Sequence, residues 1–99
     1  MSVPVTISPE AYQDLSDAAD WYESEAPGKS LELRAQFQSA LAFLRAFPRA
    51  GHTVFRGARR IRLHQFPYHV YYRLSKGSIR VLALYHCARD PKGWRRRSG

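Results

Sequence analysis

The sequence predicts an α+β domain of two layers, in which a helical hairpin packs on one face of a small, mostly antiparallel sheet, in the order β-α-α-β-β-β. Two observations support this prediction. Residues 8–47 contain two apolar stripes with helical spacing, separated by a Pro-Gly break, whereas residues 60–86 hold three segments with the alternation of strands. Because an amphipathic hairpin must bury its apolar side, a sheet is expected beneath it.

The first strand and the first helix are predicted from the N-terminal 25 residues. Val3 to Ile7 alternates β-branched residues around a proline, which is typical of a short edge strand. Ser8 offers a capping hydroxyl and Pro9 suits the first helical turn, so the helix should run from there to Glu25. Trp21 should lie on the acidic side of this helix. The predicted buried stripe is Tyr12, Leu15, Ala19 and Tyr22.

A second helix is predicted over residues 30–47. Pro27-Gly28 ends the first helix, and Pro48 ends the second because the residue before a proline leaves the helical region. The apolar face of this helix is expected to be Leu33, Phe37, Ala40, Leu41 and Leu44.

The strands follow a loop predicted over residues 49–57. A turn at residues 75–77 joins the second and third of these strands, and Ser78–His86 is apolar on both sides, which indicates a central strand covered on both faces. The other two strands each have one apolar face. Their other face is expected to be free of the helices and to carry Arg60, Arg62, His64, His69, Tyr71 and Arg73, together with Arg80 of the last strand.

The charge of the chain is distributed unevenly. Residues 1–32 contain seven acids and one base, a net charge of −6, whereas residues 33–99 contain fifteen bases and one acid, a net charge of +14. This asymmetry predicts an anionic partner, either nucleic acid or an acidic protein segment, on the C-terminal two thirds. We expect one domain over residues 1–94 and a basic, disordered tail over residues 95–99.

Composition disfavours several classes of site. The single cysteine, Cys87, excludes an internal disulfide and a cysteine-based zinc site, and we expect it to be a small buried residue. The histidines lack the spacing of zinc enzymes and no phosphate-binding glycine loop is present, so neither a metal nor a cofactor is expected. No signal peptide and no bilayer-length apolar run is found, which predicts a soluble, cytoplasmic protein that contacts no membrane.

The remaining chemistry is that of arginine, histidine and tyrosine. Such a set can cleave RNA without a metal, because a base can activate the 2′-hydroxyl while arginine stabilises the charge that grows on the phosphate. The same residues can also only bind, since arginine grips carboxylates and phosphates and aromatic rings stack or pack. Binding is favoured over catalysis from residue type alone.

Four segments occur in the order AADWYES, LRAFPRAG, RRIRLHQFPYHVYYRL and VLALYHCARDPKGW. The last contains the pattern H-x-x-R-x-P-x-x-W, formed by His86, Arg89, Pro91 and Trp94. Together these segments resemble the ParE/RelE superfamily of toxins from type II toxin–antitoxin modules, and within it the ParE-like, plasmid stabilisation branch. The resemblance covers nearly the whole chain.

The resemblance implies a fold in which the first strand lies beside the last. It also implies a small antitoxin partner, whose acidic and partly disordered C-terminal segment folds on the toxin. The chain is expected to form either a homodimer or a hetero-oligomer with this antitoxin. ParE members of the superfamily poison DNA gyrase, whereas RelE members cut mRNA on the ribosome.

Comparison with the RNA-cutting branch is mixed. His69 stands where that branch has an arginine after the first tyrosine of the middle strand, Arg89 matches a second arginine, and Trp94 lies near the position of a tyrosine. Indole cannot act as an acid or a base. If the chain is a ribonuclease, the catalytic residues are expected to be His69, His86 and Arg89.

We therefore expect a non-catalytic ParE-like toxin. A RelE-like mRNA interferase is the first alternative, and a non-toxic nucleic-acid-binding module is the second. The residues expected to bind the target or the antitoxin are Arg60, Arg62, His69, Tyr71, Arg73, His86, Arg89 and Trp94.

Overall fold

The computed structural model of the chain describes residues 3–98 and confirms the α+β class. Its five-stranded sheet has the order β1-β5-β4-β3-β2, with β1 parallel to β5 and the other neighbours antiparallel. The first strand lies beside the last, as the resemblance implied. The strands are β1 (Val5–Ile7), β2 (His52–Phe55), β3 (Ala58–Arg62), β4 (Tyr68–Ser75) and β5 (Ser78–His86).

The helical hairpin consists of α1 (Pro9–Glu25) and α2 (Lys29–Ala46). The Ser8 hydroxyl caps α1 by accepting a hydrogen bond from the Ala11 N–H at 3.1 Å, as its position predicted. At the other end, the Glu23 carboxylate accepts hydrogen bonds from the Gly28 N–H, the Ser30 N–H and the Ser30 hydroxyl. These bonds, the Ser30 hydroxyl foremost, lower the pKa of Glu23 and close the hairpin.

The predicted loop over residues 49–57 is partly wrong, because residues 52–55 form β2. This strand pairs with β3 through a two-residue turn at Arg56 and Gly57, which have φ of 47° and 83°. Two successive positive φ values match the right-handed twist of a hairpin. Arginine seldom adopts such a φ, so the sequence gives only the glycine as a signal for this turn.

One extra residue changes the alternation of β5. Tyr71 lies opposite Ala83 and Tyr72 lies opposite Val81, so Leu82 is a bulge with no residue opposite it. Ile79 and Val81 therefore face the helices, whereas Ala83 and Tyr85 face the other side. Strict alternation would place all four of these residues on one face.

Two clusters of buried side chains cover the two faces of the sheet. The larger lies under the helices and includes Leu33, Phe37, Leu41, Val70, Tyr72 and Val81. The second lies on the face expected to be free and includes Ala58, Tyr71, Leu82, Ala83, Tyr85 and Trp94. A short helix, α3 (Lys92–Arg95), brings Trp94 onto this face. The prediction of a wholly uncovered face is therefore wrong.

The stripe by which α1 packs is made of smaller residues than predicted. Ala11 and Ala18 are buried with Leu15 and Ala19, whereas Tyr12 is 57% exposed, so its predicted place in the core is wrong. Alanines let the helix approach β5 closely, and a tyrosine does not fit that gap. Trp21 is exposed, as the helical wheel predicted.

Arg95, Arg96 and Arg97 are ordered, so the predicted disordered tail is wrong for these three residues. Arg95 ends α3, and Arg96 and Arg97 belong to a 3-10 turn, while Gly99 of the predicted tail lies outside the described residues. The Arg97 guanidinium forms an ion pair with Asp14 of α1. No helix among residues 3–98 combines the length and the hydropathy needed to cross a membrane.

Candidate functional site

Three of the predicted site residues meet in one cleft, which we call the basic cleft. Arg60 and Arg62 of β3 and His69 of β4 line it together with Ala50 and His52, around a volume of about 310 Å³. Arg62 lies opposite His69 in the strand register, because alternation puts both on the same face. Burial lowers the pKa of His69, and the neighbouring cations Arg60 and Arg62 lower it further.

A thiol closes one side of the basic cleft. Arg62 Nη1 donates a hydrogen bond to Cys87 Sγ at 2.8 Å, and Cys87 Sγ lies 3.9 Å from His69 Nε2. Cys87 is exposed, so the expectation of a small buried residue is wrong. Because Cys87 follows the end of β5 and its N–H donates to the Pro67 carbonyl, its side chain reaches the mouth of the cleft rather than the core.

His86 and Arg89 sit at the end of β5, on either side of the sheet. His86 packs edge-on against Tyr68, which belongs to the helix-side cluster. The Arg89 guanidinium lies over the ring of Tyr85, 3.8 Å from its centroid, in the other cluster. His69 is also on that second face, against Tyr71. The sheet therefore separates His86 from His69, which were predicted to act together in a ribonuclease.

Two predicted binding residues are not accessible. Tyr71 is 3% exposed and Trp94 is 1% exposed, and their rings stack with centroids 4.4 Å apart. This burial contradicts their prediction as contacts for a target or an antitoxin. The ring of Phe55 meets Trp94 edge-on and is in turn covered by Arg56 and Arg95. Trp94 thus holds the C-terminal helix on the sheet, because the indole fills the centre of the second cluster.

His64 and Arg73 lie apart from the basic cleft. His64 follows the end of β3 and lines a small pocket with Gln36 and Ser39 of α2, so it does not share the predicted free face. Arg73 lies on that face near the other end of β4, where its Nη1 donates to the Arg56 carbonyl at 2.6 Å.

The sequence analysis missed an apolar groove beside the basic cleft. Phe43 and Phe47, both exposed, line it with Ala46, Pro48 and Ala50, around a volume of about 640 Å³. Ala50 also lines the basic cleft, so the two surfaces are continuous. The groove could have been predicted from Phe43, which lies outside the predicted core stripe of α2. A large apolar residue outside that stripe is expected to be exposed and to mark a binding surface.

Chemically, this arrangement favours binding. Arg60 and Arg62 present guanidinium groups to an anion, and the adjacent groove accepts an apolar side chain. Proton transfer would need both a base and an acid near one phosphate. The His69 imidazole could serve as a base, whereas Tyr71 and Tyr85 are buried and His86 faces away from it.

Comparison with known proteins agrees with this fold. A family model described as the ParE toxin of the type II toxin–antitoxin system, parDE, matches residues 5–91. Among solved structures, the chromosomal ParDE TA system from P. aeruginosa is similar, with a TM-score of 0.76 and 21% identity over 86% of this chain and 96% of that chain. At this identity the likeness shows the shared fold alone. No curated protein matches the chain.

The fold and the family match together define the class of protein. The match to the family model extends from β1 to the start of the C-terminal helical turn and so includes the basic cleft. The chain belongs to the ParE toxin family of type II toxin–antitoxin systems.

Proposed function

We propose that this chain is a growth-inhibiting toxin that binds a cellular target without cutting RNA and is neutralised by a small acidic antitoxin in the cytoplasm. The observation that carries the proposal is the family match over residues 5–91. The proposed target is DNA gyrase, the target of studied ParE members. Separation of His69 from His86 by the sheet supports binding over ribonuclease chemistry.

The antitoxin is proposed to dock where the basic cleft meets the apolar groove. An antitoxin segment with both carboxylates and apolar side chains would place the former against Arg60 and Arg62 and the latter against Phe43 and Phe47. Such a segment gains specificity because both parts must fit at once. This docking would also cover Cys87 and His69.

Expression tests the toxin activity. The gene is placed under an inducible promoter, with and without a short neighbouring reading frame that encodes an acidic protein. We expect induction alone to stop growth and to switch on a DNA-damage reporter, and we expect coexpression to restore growth. Purified chain should inhibit supercoiling by gyrase. Unchanged growth on induction, with the protein soluble and folded, would contradict the proposal.

Matched variants test the docking surface. Arg62→Glu places a negative charge in the basic cleft and should weaken capture of the antitoxin, whereas Arg34→Glu makes the same change on an exposed part of α2 away from the cleft. Equal loss in the two variants would show that only overall charge matters.

A ribosome-dependent mRNA interferase is the second candidate, favoured by one observation. The lowered pKa of His69 increases the neutral fraction of an imidazole that lies beside two arginines, which suits a general base. Primer extension after induction tests it. Cut messages that disappear in the His69→Gln variant would favour this candidate, and intact messages during growth arrest would remove it.

A further inference from the structure

A second cleft, distinct from the basic cleft, lies at the far end of the same sheet face. We call it the hairpin cleft because it surrounds the turn between β4 and β5, and its volume is about 370 Å³. Arg73 is four residues beyond His69 along β4, which places the two clefts about 13 Å apart. The residues of the hairpin cleft used below are Thr6, Arg73, Ser75, Lys76, Ser78 and Arg80.

The central feature of the hairpin cleft is a pair of like charges. Arg73 of β4 and Arg80 of β5 lie directly opposite one another in the antiparallel register, and both face the same side of the sheet. Like charges in this arrangement destabilise a sheet. Among residues 3–98, no acidic side chain lines the cleft. An anion bound between the two guanidinium groups would contact both of them.

The row of side chains continues onto a third strand. Thr6 of β1 lies opposite Arg80 in the parallel register, so Thr6, Arg80 and Arg73 form a line across three adjacent strands. With strands about 4.8 Å apart, this line spans roughly 10 Å. The Thr6 hydroxyl donates to the Ile79 carbonyl at 3.5 Å, a long bond that a stronger acceptor could replace.

The surroundings of the row are fixed before any ligand arrives. Arg73 is anchored by its 2.6 Å hydrogen bond to the Arg56 carbonyl. Arg97 lines the rear of the cleft, where Asp14 holds its guanidinium, and the buried Leu82 contributes an apolar wall. Within residues 3–98, the Arg80 guanidinium makes no hydrogen bond or ion pair, so its donors are available.

We propose that the hairpin cleft binds a phosphate group carried by a nucleotide or by a nucleic acid strand. Two guanidinium forks on adjacent strands, with Lys76 and nearby hydroxyls, suit the several oxygens of a phosphate better than the two oxygens of a carboxylate. No aromatic ring of the described residues lines the cleft, so the ligand is recognised through its phosphate rather than by stacking of a base.

Three ligands separate the possible sources of phosphate. Pyrophosphate, ATP and a short labelled single-stranded oligonucleotide are titrated into the purified full chain, and binding is followed by amide chemical shifts and by fluorescence anisotropy. We expect all three to shift the amides of Thr6, Ser78 and Arg80. Displacement of the oligonucleotide by both pyrophosphate and ATP, with the oligonucleotide bound more tightly than ATP, assigns the cleft to phosphates of a strand. Tighter binding of ATP than of the oligonucleotide assigns it to nucleotides.

Matched variants test whether the row formed by Thr6, Arg80 and Arg73 binds the phosphate. Arg80→Gln should weaken binding of pyrophosphate roughly tenfold, because one charged hydrogen-bonding group is lost. The affinity of Arg80→Lys for pyrophosphate should lie between those of Arg80→Gln and the wild type, since lysine keeps the charge but lacks the paired donors of a guanidinium group. Arg34→Gln removes the same charge from an exposed position of α2 and should change little.

Several results would overturn the proposal. Equal weakening in Arg80→Gln and Arg34→Gln would mean that diffuse positive charge binds the ligands. Shifts confined to His69 and its neighbours would place the phosphate in the basic cleft. Binding of a glutamate-rich peptide at Arg80 with no binding of pyrophosphate would make the cleft a protein contact. Because these measurements use purified chain and phosphate ligands, they are independent of whether the chain is toxic.

Discussion

The Asp14 carboxylate of α1 and the Arg97 guanidinium near the C-terminus form an ion pair with an Nη1–Oδ2 distance of 2.6 Å. Asp14 Oδ2 also accepts a hydrogen bond from the Leu84 N–H at 3.0 Å, and Arg97 Nη1 donates to the Leu82 carbonyl at 3.1 Å. The strand β1 pairs with β5 only as far as Val81. The ion pair therefore provides hydrogen-bond partners for the next backbone groups along that edge of β5, and it joins the last turn to the first helix.

We predict that Arg97→Ala lowers the free energy of unfolding by about 1–3 kcal/mol. The Asp14 side chain is only 8% exposed, so it would lose a charged partner in a place that water reaches poorly. Urea denaturation measures the change. Arg96→Ala, at the exposed neighbouring position, is the control and should stay within about 0.5 kcal/mol of the wild type. Similar losses in both variants would argue against the Asp14–Arg97 pair.

We predict that Gly93→Ala loosens the C-terminal helix. An added Cβ would overlap the Tyr85 hydroxyl oxygen, closer than any real contact of a Cβ atom. We expect the free energy of unfolding to fall by about 1–3 kcal/mol, as for an overfilled core. We also expect a red shift of Trp94 fluorescence, measured in a Trp21→Phe background. Tyr85→Phe removes the clashing oxygen, so the double variant Gly93→Ala/Tyr85→Phe should recover most of the loss. No recovery would place the strain elsewhere.

We predict that Arg80→Gln, measured without any phosphate ligand, raises the free energy of unfolding by about 0.2–1 kcal/mol. The gain arises because Arg73 and Arg80 repel one another across β4 and β5. Added salt should reduce it, since salt screens exposed charges. Urea denaturation at low and high salt checks both effects, with Arg34→Gln as the reference for loss of a charge. A variant less stable than the wild type at low salt would contradict the repulsion.

We predict that His69 makes stability depend on pH. Its pKa in the folded chain is lowered by burial and by Arg60 and Arg62, whereas the unfolded chain keeps the ordinary value of about 6.5. The unfolded state therefore binds the proton more readily. The contribution of neutral His69 is fully present above pH 6.5 and is lost as the pH falls through the lowered folded pKa.

Urea denaturation at about pH 7.5 and pH 5 tests this dependence. The wild type and His64→Gln, which keeps His69, should lose more stability over this interval than His69→Gln does. The same loss in all three proteins would exclude His69 as its source.

Local signals in the sequence were enough to predict the helices and most of the strands. Each of these signals acts within a few residues and can be recognised from the adjacent sequence. They are the Ser8 cap, the break at Pro27-Gly28 and the turn at Lys76-Gly77. The strand β2 escaped prediction because Arg56 adopts a positive φ that its residue type does not suggest.

Contacts between distant residues were harder to foresee. The docking of Trp94 on Tyr71, and of Arg97 on Asp14, joins parts of the chain that carry no mutual signal in sequence. The basic cleft was predicted in part, because Arg60, Arg62 and His69 follow from alternation on β3 and β4. The exposed Cys87 at its mouth follows only from the path of the chain after β5.

The bulge at Leu82 makes the spacing within β5 as important as the identity of its residues. Without the bulge, strict alternation of the same residues would turn Tyr85 beneath the helices and His86 toward the opposite side. The C-terminal helix would lose the ring on which it rests, and Arg89 would lose its aromatic support. Deletion of Leu82 itself would restore regular pairing and keep Tyr85 on the outer side. The single extra residue in β5 thus decides which side chains form the outer surface of the toxin.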